Sequence, residues 1–507
     1  MKILLTSIRT ESPNSEFELR YLYSVVADAP IETAMKVFDE TSLDTSIYDE
    51  IVRGQYNVVY FHCDEFNEYR VSKLSEMVKK AMPSSVMIVG GLQVSFETRK
   101  FMQEHPCVDY VIRGEGEIVL FNFVRNLVTY EFDFDSIAGL AFRKDDTIIV
   151  NPYDASIPME ELPFPYDKTD LKDTDIVYYE TIRGTSDRTV YNQFYPDAKI
   201  RTLALNRICT ELRYFLVKRV KKVVFLDKWF NYNTERAYRI IEYIVNNDNG
   251  VTCFEMQMDG DNIDDEMVRL LSEAREGLFI FNIDIASTNA ETLAAIGRKE
   301  NIYQMMYNVN KLLQAHRVEV NLSIAAGLPF ETVQLFERSF NKAYGLGEGS
   351  HLKVEMLRLK KGSTLRAEAE KYGYIYSSTA PFEVIATGFM PAPDLIKIKT
   401  VAAVSEYYIG SGFEGSIQRM LNDTGLKPYE LFEKLADYIY DNGYENKMSK
   451  TENLYRLLYG FGEVLYDEFN DTLKLQIFSE ILHEDMERNL SPDAVKKFER
   501  KGWFIEV

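Results

Sequence analysis

The sequence predicts an α/β protein in two successive parts with a helical tail. Three observations lead there: strand and helix patterns alternate twice along the chain, a proline-rich stretch separates the two alternations, and strand signals fade after about residue 365. The chain is 507 residues long and 46% hydrophobic, ample for several cores on a soft prior of roughly 150 residues per domain. Its 33 Tyr and 31 Phe exclude a disordered chain, which needs low hydrophobicity.

In residues 1–150, strand patterns at Lys2–Leu5, Asn57–Phe61, Val86–Val89 and Tyr110–Ile112 alternate with helical patterns near Leu19–Val26, Val71–Ala81, Phe96–Gln103 and Ile118–Leu127. Such alternation predicts a doubly wound parallel sheet, whose ligands bind at the carboxyl ends of the strands. Gly90-Gly91 and the Gly114-Glu115-Gly116 turn fall at two such ends. A hairpin-like stretch around Phe142–Ile149 closes the unit. Residues 151–175 hold NPYDAS, PMEELPFPYD and a charged run without periodicity, and read as a linker.

From 176 to 362 a second alternation supplies six strand patterns: Ile176–Thr181, Lys222–Leu226, Thr252–Met256, Leu278–Ile285, Glu319–Ala325 and His351–Arg358. Six β–α units predict a partial barrel with its site where the strands end. Glu180, Asp227, Glu255, Gln257, Asp259, Asp284 and Glu355 lie near those ends. They are candidates for a divalent cation or for acid–base roles, although alternation sends some of them away from one another. Residues 363–507 predict a helical region, with patterns at Ile396–Tyr408, Pro428–Tyr440, Lys450–Leu465 and Leu473–Met486, and with GWFIEV docking as a tail.

The net charge of −21 argues against a nucleic acid or an anionic membrane as partner, since such binding rests on Lys and Arg. The basic run Arg213 to Lys222 reads as a solvated helix face. No run approaches a spanning helix. Cys63, Cys107, Cys209 and Cys253 are scattered, as expected of reduced thiols in a cytoplasmic protein. GxxxxGK[ST], HExxH and GxSxG are absent.

Read in series, MKILLTS, FELRYLYSVV, VVYFHCDEFN, IVGGLQVSF and VDYVIRGEGEIVLFNF resemble the cobalamin-binding domain that precedes the barrel in many radical SAM enzymes. GLAFRKDDTIIVNP with ELPFPYD, then VVFLDKWFN, GLFIFNIDIASTNAETLAAIGRK and LSIAAGLPFETVQLFERSFN, resemble the barrel and its lead-in. LRLKKGSTLRAEAEKYGY through FEVIATGFM resembles the helical extension of one subgroup. The resemblance implies a flavodoxin- or Rossmann-like cobalamin-binding domain, a radical-SAM-type partial TIM barrel and a helical extension. It assigns a cobalamin site to His62, Cys63, Phe66, Asn67, Gly90, Gly91, Ser95, Gly114, Glu115 and Gly116. His62 stands outside the DxHxxG pattern of a cobalt-ligating histidine and reads as a hydrogen-bonded core residue, with Phe66 covering the cobalt's lower face.

The family's first barrel loop has the form YYETSRGCxxxCxxC. Here Tyr178 to Asn192 read YYETIRGTSDRTVYN, so the three cysteine positions carry Thr185, Thr189 and Asn192. Thiolates are the soft donors such a cluster needs, and the expectation is a chain holding no [4Fe–4S] cluster. On the fourth strand EIGVQST becomes Asn282 through Thr288, which leaves S-adenosylmethionine (SAM) binding open. Three functions follow as alternatives: a cobalamin carrier, sensor or regulatory subunit, partnered with a cluster-bearing paralogue or another protein; a cobalamin-dependent methyl or alkyl transferase in which Glu180, Asp227 or Asp284 orients the substrate; or a cofactor-free scaffold.

Overall fold

The computed structural model describes the chain apart from residues 11–13, 154–156, 168–170, 185–188, 194–198, 300, 347–349, 469–471 and 504–507. Seven strands form the first sheet: β1 (Lys2–Ile8), β2 (Glu32–Phe38), β3 (Val58–His62), β4 (Val86–Gly90), β5 (Tyr110–Ile112), β6 (Leu140–Lys144) and β7 (Thr147–Val150). Their spatial order is β2-β1-β3-β4-β5-β6-β7, parallel through β5 and antiparallel for the closing hairpin. Both faces are covered, which is why β3 and β4 are almost wholly apolar and β1 is buried beyond Lys2. Leu4, Val59, Phe61 and Val89 pack into one cluster and Ile3, Leu5, Tyr60 and Ile88 into the other. Strand order reverses between β1 and β3. That reversal opens a crevice at their carboxyl ends, where the His62–Asn67 segment lies.

The second sheet holds β8 (Ile176–Tyr179), β11 (Lys222–Phe225), β12 (Cys253–Met258), β13 (Phe279–Ala286), β14 (Glu319–Ala326) and β15 (Ser350–Met356). Between β8 and β11 the chain makes a small antiparallel pair, β9 (Ile182–Arg183) with β10 (Arg201–Thr202). The six strands pair in parallel and in chain order, giving the expected partial barrel. Period-two alternation divides each strand. Phe254, Met256, Phe281, Ile283, Val320, Leu322 and Ile324 are buried, whereas Glu255, Gln257, Asn282, Asp284, Asn321 and Ser323 share the opposite, half-buried face. The register aligns Gln257, Asn282, Asn321 and His351 in one layer and Asp284, Ser323 and Lys353 in the next.

The C-terminal region packs the helices Ala392–Tyr408, Glu414–Thr424, Pro428–Asp441, Thr451–Glu468, Thr472–Asn489 and Pro492–Lys501 onto the barrel. One apolar cluster runs through both, with Phe336 and Phe340 meeting Tyr429 and Phe432. Before these helices the chain adds a short hairpin, β16 (Ile375–Tyr376) with β17 (Val384–Ala386), where strand signals were expected to have faded. Trp503 docks on Tyr459 and Phe498; residues 504–507 of the GWFIEV tail lie outside the described residues. Among the described residues no helix is long and apolar enough to cross a membrane.

Candidate functional site

The crevice after β3 is organised by Asn67. Its buried amide donates to the carbonyls of His62 (3.3 Å) and Ile8 (3.4 Å), and its Oδ1 accepts from the Asp64 N–H. Asp64 in turn accepts from the N–H groups of Phe66 and Asn67, so the loop folds on itself and presents Phe66 outward. His62 is buried, with Nδ1 3.2 Å from Glu18 Oε2. Burial opposes its charge, but the Glu18 carboxylate outweighs burial and the imidazole pKa is raised. The structure thus gives His62 a carboxylate partner, in line with a paired core histidine. Cys63 is fully buried, which pushes its thiol pKa well up.

Gly91 has φ +108°, and a Cβ there would stand 2.5 Å from the Cys63 carbonyl oxygen, so only glycine serves. At Gly90 a Cβ would strike the Tyr60 ring. Ser95 Oγ donates to the Gly91 carbonyl and accepts from the Gly114 N–H at 2.9 Å, tying the ends of β4 and β5 together. Glu115 N–H donates to the Tyr153 hydroxyl, and Gly116 abuts Leu22.

In the barrel, Asp284 is the centre of a network. Its Oδ2 accepts from Arg298 Nη1 at 2.8 Å and from the Tyr191 hydroxyl at 3.4 Å; Oδ1 accepts from Ser323 Oγ at 3.2 Å. Arg298 also donates to the Asp284 carbonyl and lies over the Trp229 ring. Below it an amide ladder links Asn321, Asn282 and Glu255, and Lys222 pairs with Glu255. Glu355 stands exposed at the end of β15; enclosure by neighbouring atoms and the nearby Asp284 raise its pKa.

Other expected members do not join this group. Asp227 is fully buried, accepting from the N–H groups of Thr181 and Ile182 at 2.6 and 3.0 Å, while Arg236 braces Thr181. Burial outweighs those hydrogen bonds and pushes its pKa up to about 6; the residue clamps the turn after β8. Asp259 is absorbed by the backbone of Asp261 and the amide of Asn262. Glu180 is bound by Arg183 at 2.8 Å, and burial pushes its pKa up to about 7 against that cation. Among the described residues no His, Cys, Asp or Glu group of three or more could hold a metal ion. Of the former cysteine positions, Thr185 lies outside the described residues. Thr189 is buried and Asn192 N–H donates to the Thr189 carbonyl.

Arg298, Tyr191, Ser323 and Trp229 were not anticipated. Ser323 shares the inward alternation of Asn321, a signal available in the sequence. Arg298 and Trp229 come from loops and had none.

The two halves face each other. Arg183 reaches Glu115 (3.2 Å) and Glu117 (2.6 Å), Arg201 pairs with Glu115, Arg358 and Lys360 pair with Glu65 (3.1 and 3.3 Å), and Lys361 with Glu68 (2.9 Å). The Arg358 guanidinium lies 4.9 Å above the Phe66 ring. The first sheet's strand ends are thereby held against the barrel mouth.

Comparison with known proteins agrees with this architecture. Residues 190–343 match the model of the radical SAM superfamily, and residues 370–502 match a protein family of unknown function, DUF4080. The cobalamin-dependent radical SAM methyltransferase TokK of Streptomyces tokunonensis is 20% identical over 89% of this chain and 70% of its own. An uncharacterized methyltransferase of Pyrococcus horikoshii, PH0819, is 25% identical over 47% of this chain and 56% of its own. Among solved structures, the radical SAM methyltransferase TsrM of Kitasatospora setae, with cobalamin and a [4Fe–4S] cluster bound, has a TM-score of 0.58, 15% identity, and coverage of 75% of this chain and 76% of its own. OxsB, a cobalamin-dependent radical SAM enzyme with aqua-cobalamin and SAM bound, gives 0.61 at 12% identity over 99% of this chain and 84% of its own.

These relatives correct the expected cofactor set. A chain without a [4Fe–4S] cluster conflicts with homologues that are cluster-bearing, SAM-using enzymes. That expectation weighed three side chains of one loop against a fold that matches such an enzyme over 99% of the chain, and one of the three lies outside the described residues. Thr189 and Asn192 themselves offer only neutral oxygen donors rather than thiolates. The barrel thus carries the radical SAM superfamily pattern, and the chain has cobalamin-dependent radical SAM methyltransferases among its homologues.

Proposed function

We propose that this protein is a methyl or alkyl transferase that uses cobalamin at the crevice after β3–β5 and takes its substrate at the barrel mouth. The observation that carries the reading is the apposition of the two halves: Phe66 lies under the guanidinium of Arg358, just past β15 at the mouth of the barrel that holds the Asp284–Arg298–Ser323 network. The crevice suits a large planar ligand, because strand order reverses there and Phe66 supplies a flat apolar face. Phe66, Asn67, Ser95 and the Gly114–Gly116 turn would hold cobalamin, which when bound serves as the carrier of the transferred group.

This chain's own residues do the remaining work. Asp284 has its carboxylate pinned from two sides, so it can hold a substrate donor group without rotating. Arg298 keeps that carboxylate in place, and Tyr191 and Ser323 define which of its lone pairs stay open. Glu355, exposed at the rim with a raised pKa, is placed to accept a proton from the substrate. Glu180 and Asp227 act on the turn after β8 and not on the substrate.

The test is transfer of an isotopically labelled methyl group from SAM to cobalamin by anaerobically prepared protein, with cobalt and iron counted by mass spectrometry. Stoichiometric cobalt with labelled methylcobalamin supports the proposal. Cobalt retained without any transfer would leave a cofactor carrier, and absence of cobalt after loading would overturn both.

A further inference from the structure

Seven ion pairs join the first sheet's strand ends to the barrel among the described residues, and they are sorted by sign. Every acid comes from the N-terminal side (Glu65, Glu68, Glu97, Glu115, Glu117) and every base from the barrel side (Arg183, Arg201, Arg358, Lys360, Lys361, Arg366). An interface built only for rigidity would bury apolar side chains or alternate its charges. Sorted charges instead make two surfaces that attract as wholes and come apart as wholes.

The sorting has a geometric counterpart. On the β8 side the ion pairs of Arg183 and Arg201 are backed by apolar packing: Phe17 and Tyr21, from the helix Asn14–Val26, belong to the same core cluster as Tyr166 and Tyr179. On the β15 side the fastening is ionic, and its basic side chains Arg358 and Lys360 are 32% and 35% exposed while Glu65 is nearly enclosed. Ion pairs backed by an apolar core at one end and an ionic fastening with partly exposed bases at the other are the arrangement of a hinge and a latch. The latch residues Glu65 and Glu68 flank Phe66 and Asn67, which the proposed function gives to the cofactor.

We infer that the Glu65–Arg358/Lys360 and Glu68–Lys361 pairs form a salt-released latch over the crevice, and that a bulky planar ligand enters only when they part. The ligand half of this inference rests on the cobalamin reading; the latch itself does not. Opening exposes each charge to water, where mobile ions screen it, so salt favours the open state. The neutral corrinoid cyanocobalamin has no electrostatic steering of its own, and its uptake rate therefore reads the latch.

The experiment uses the full chain without ligand. Amide exchange of residues 62–68 is compared at about 10 mM and about 1 M sodium chloride, where the Debye length falls from ~30 to ~3 Å, with residues 113–117 on the hinge side as the internal reference. Cyanocobalamin uptake is timed under the same conditions. The latch predicts several-fold faster exchange and uptake at high salt. It also predicts that the Glu65→Gln/Glu68→Gln variant behaves at low salt as the wild type does at high salt. The charge swap Glu68→Lys with Lys361→Glu restores slow exchange at low salt, separating a latch from general destabilisation. Exchange indifferent to salt in the wild type, or measurable uptake at a rate that salt leaves unchanged, overturns the latch. Exchange that responds to salt while no corrinoid enters supports the latch and overturns the cobalamin reading.

Discussion

Arg298 grips Asp284 twice, donating Nη1 to its carboxylate at 2.8 Å and Nη2 to its backbone carbonyl at 2.7 Å, with the guanidinium almost wholly buried over Trp229. Both the carboxylate and the strand end are fixed by one side chain arriving from the loop before residue 300. Arg298→Lys retains the charge but cannot make the fork. Asp284 is a quarter exposed, so the cost should fall below that of a fully buried pair, at about 1–2 kcal/mol by urea unfolding. Methyl transfer should fall more steeply than stability, because the carboxylate would be free to rotate.

Glu331 supplies a pH-dependent prediction. It is wholly buried, accepts from Ser287 at 2.6 Å, and its Oε2 has no hydrogen-bond partner. Burial pushes its pKa up to about 8. The folded value lies above the unfolded one, so the stability it contributes is complete below about pH 4.5 and is lost as pH rises toward 8. Glu331→Gln removes that loss and should stabilise the protein at pH 7 by on the order of 3 kcal/mol. Unfolding free energy followed across this range checks it: an unchanged slope in the variant would contradict the assignment.

At His62 burial acts in the opposite direction, but the raised pKa gives the same sign of pH dependence. Burial alone would depress the imidazole, and the Glu18 carboxylate is what lifts it. Glu18→Gln should therefore drop the His62 pKa below its ordinary value, read by proton NMR titration. The stability that protonated His62 adds below that range should disappear with it.

Gly91 tests the turn after β4. Gly91→Ala places a methyl carbon 2.5 Å from the Cys63 carbonyl in a left-handed backbone, and should cost about 2–4 kcal/mol. Thermal unfolding of this variant beside Gly250→Ala, where a Cβ meets nothing within 4 Å, separates contact from backbone strain.

Much of this arrangement could be read from the residues themselves. β1, β3 and β4 are apolar runs bounded by turn residues, and alternation along β13 put Asp284 on the polar face. β2 escaped because ETAMKVF, at the sheet edge, is neither continuously apolar nor alternating. The helix Glu414–Thr424 escaped because EGSIQRMLNDT carries Gly, Ser, Asp and Thr, residues of modest helix propensity. Asp227 was misplaced for a different reason. It lies two residues beyond the end of β11, where alternation no longer sets direction, and the turn at Thr181 captures it. Arg298 follows Asp284 by fourteen residues across a helix and a loop, a distance no local pattern spans. The cofactor reading erred by weighing a few side chains above the architecture that surrounds them.

The central claim is the position of the cofactor between the two halves, and cobalt anomalous scattering from crystals grown with cobalamin addresses it directly. The account predicts one cobalt site per chain, lying between Phe66 and the Asp284–Ser323 edge of the barrel. Cobalt bound on any other surface, or no bound cobalt in crystals of protein loaded without oxygen, would contradict it.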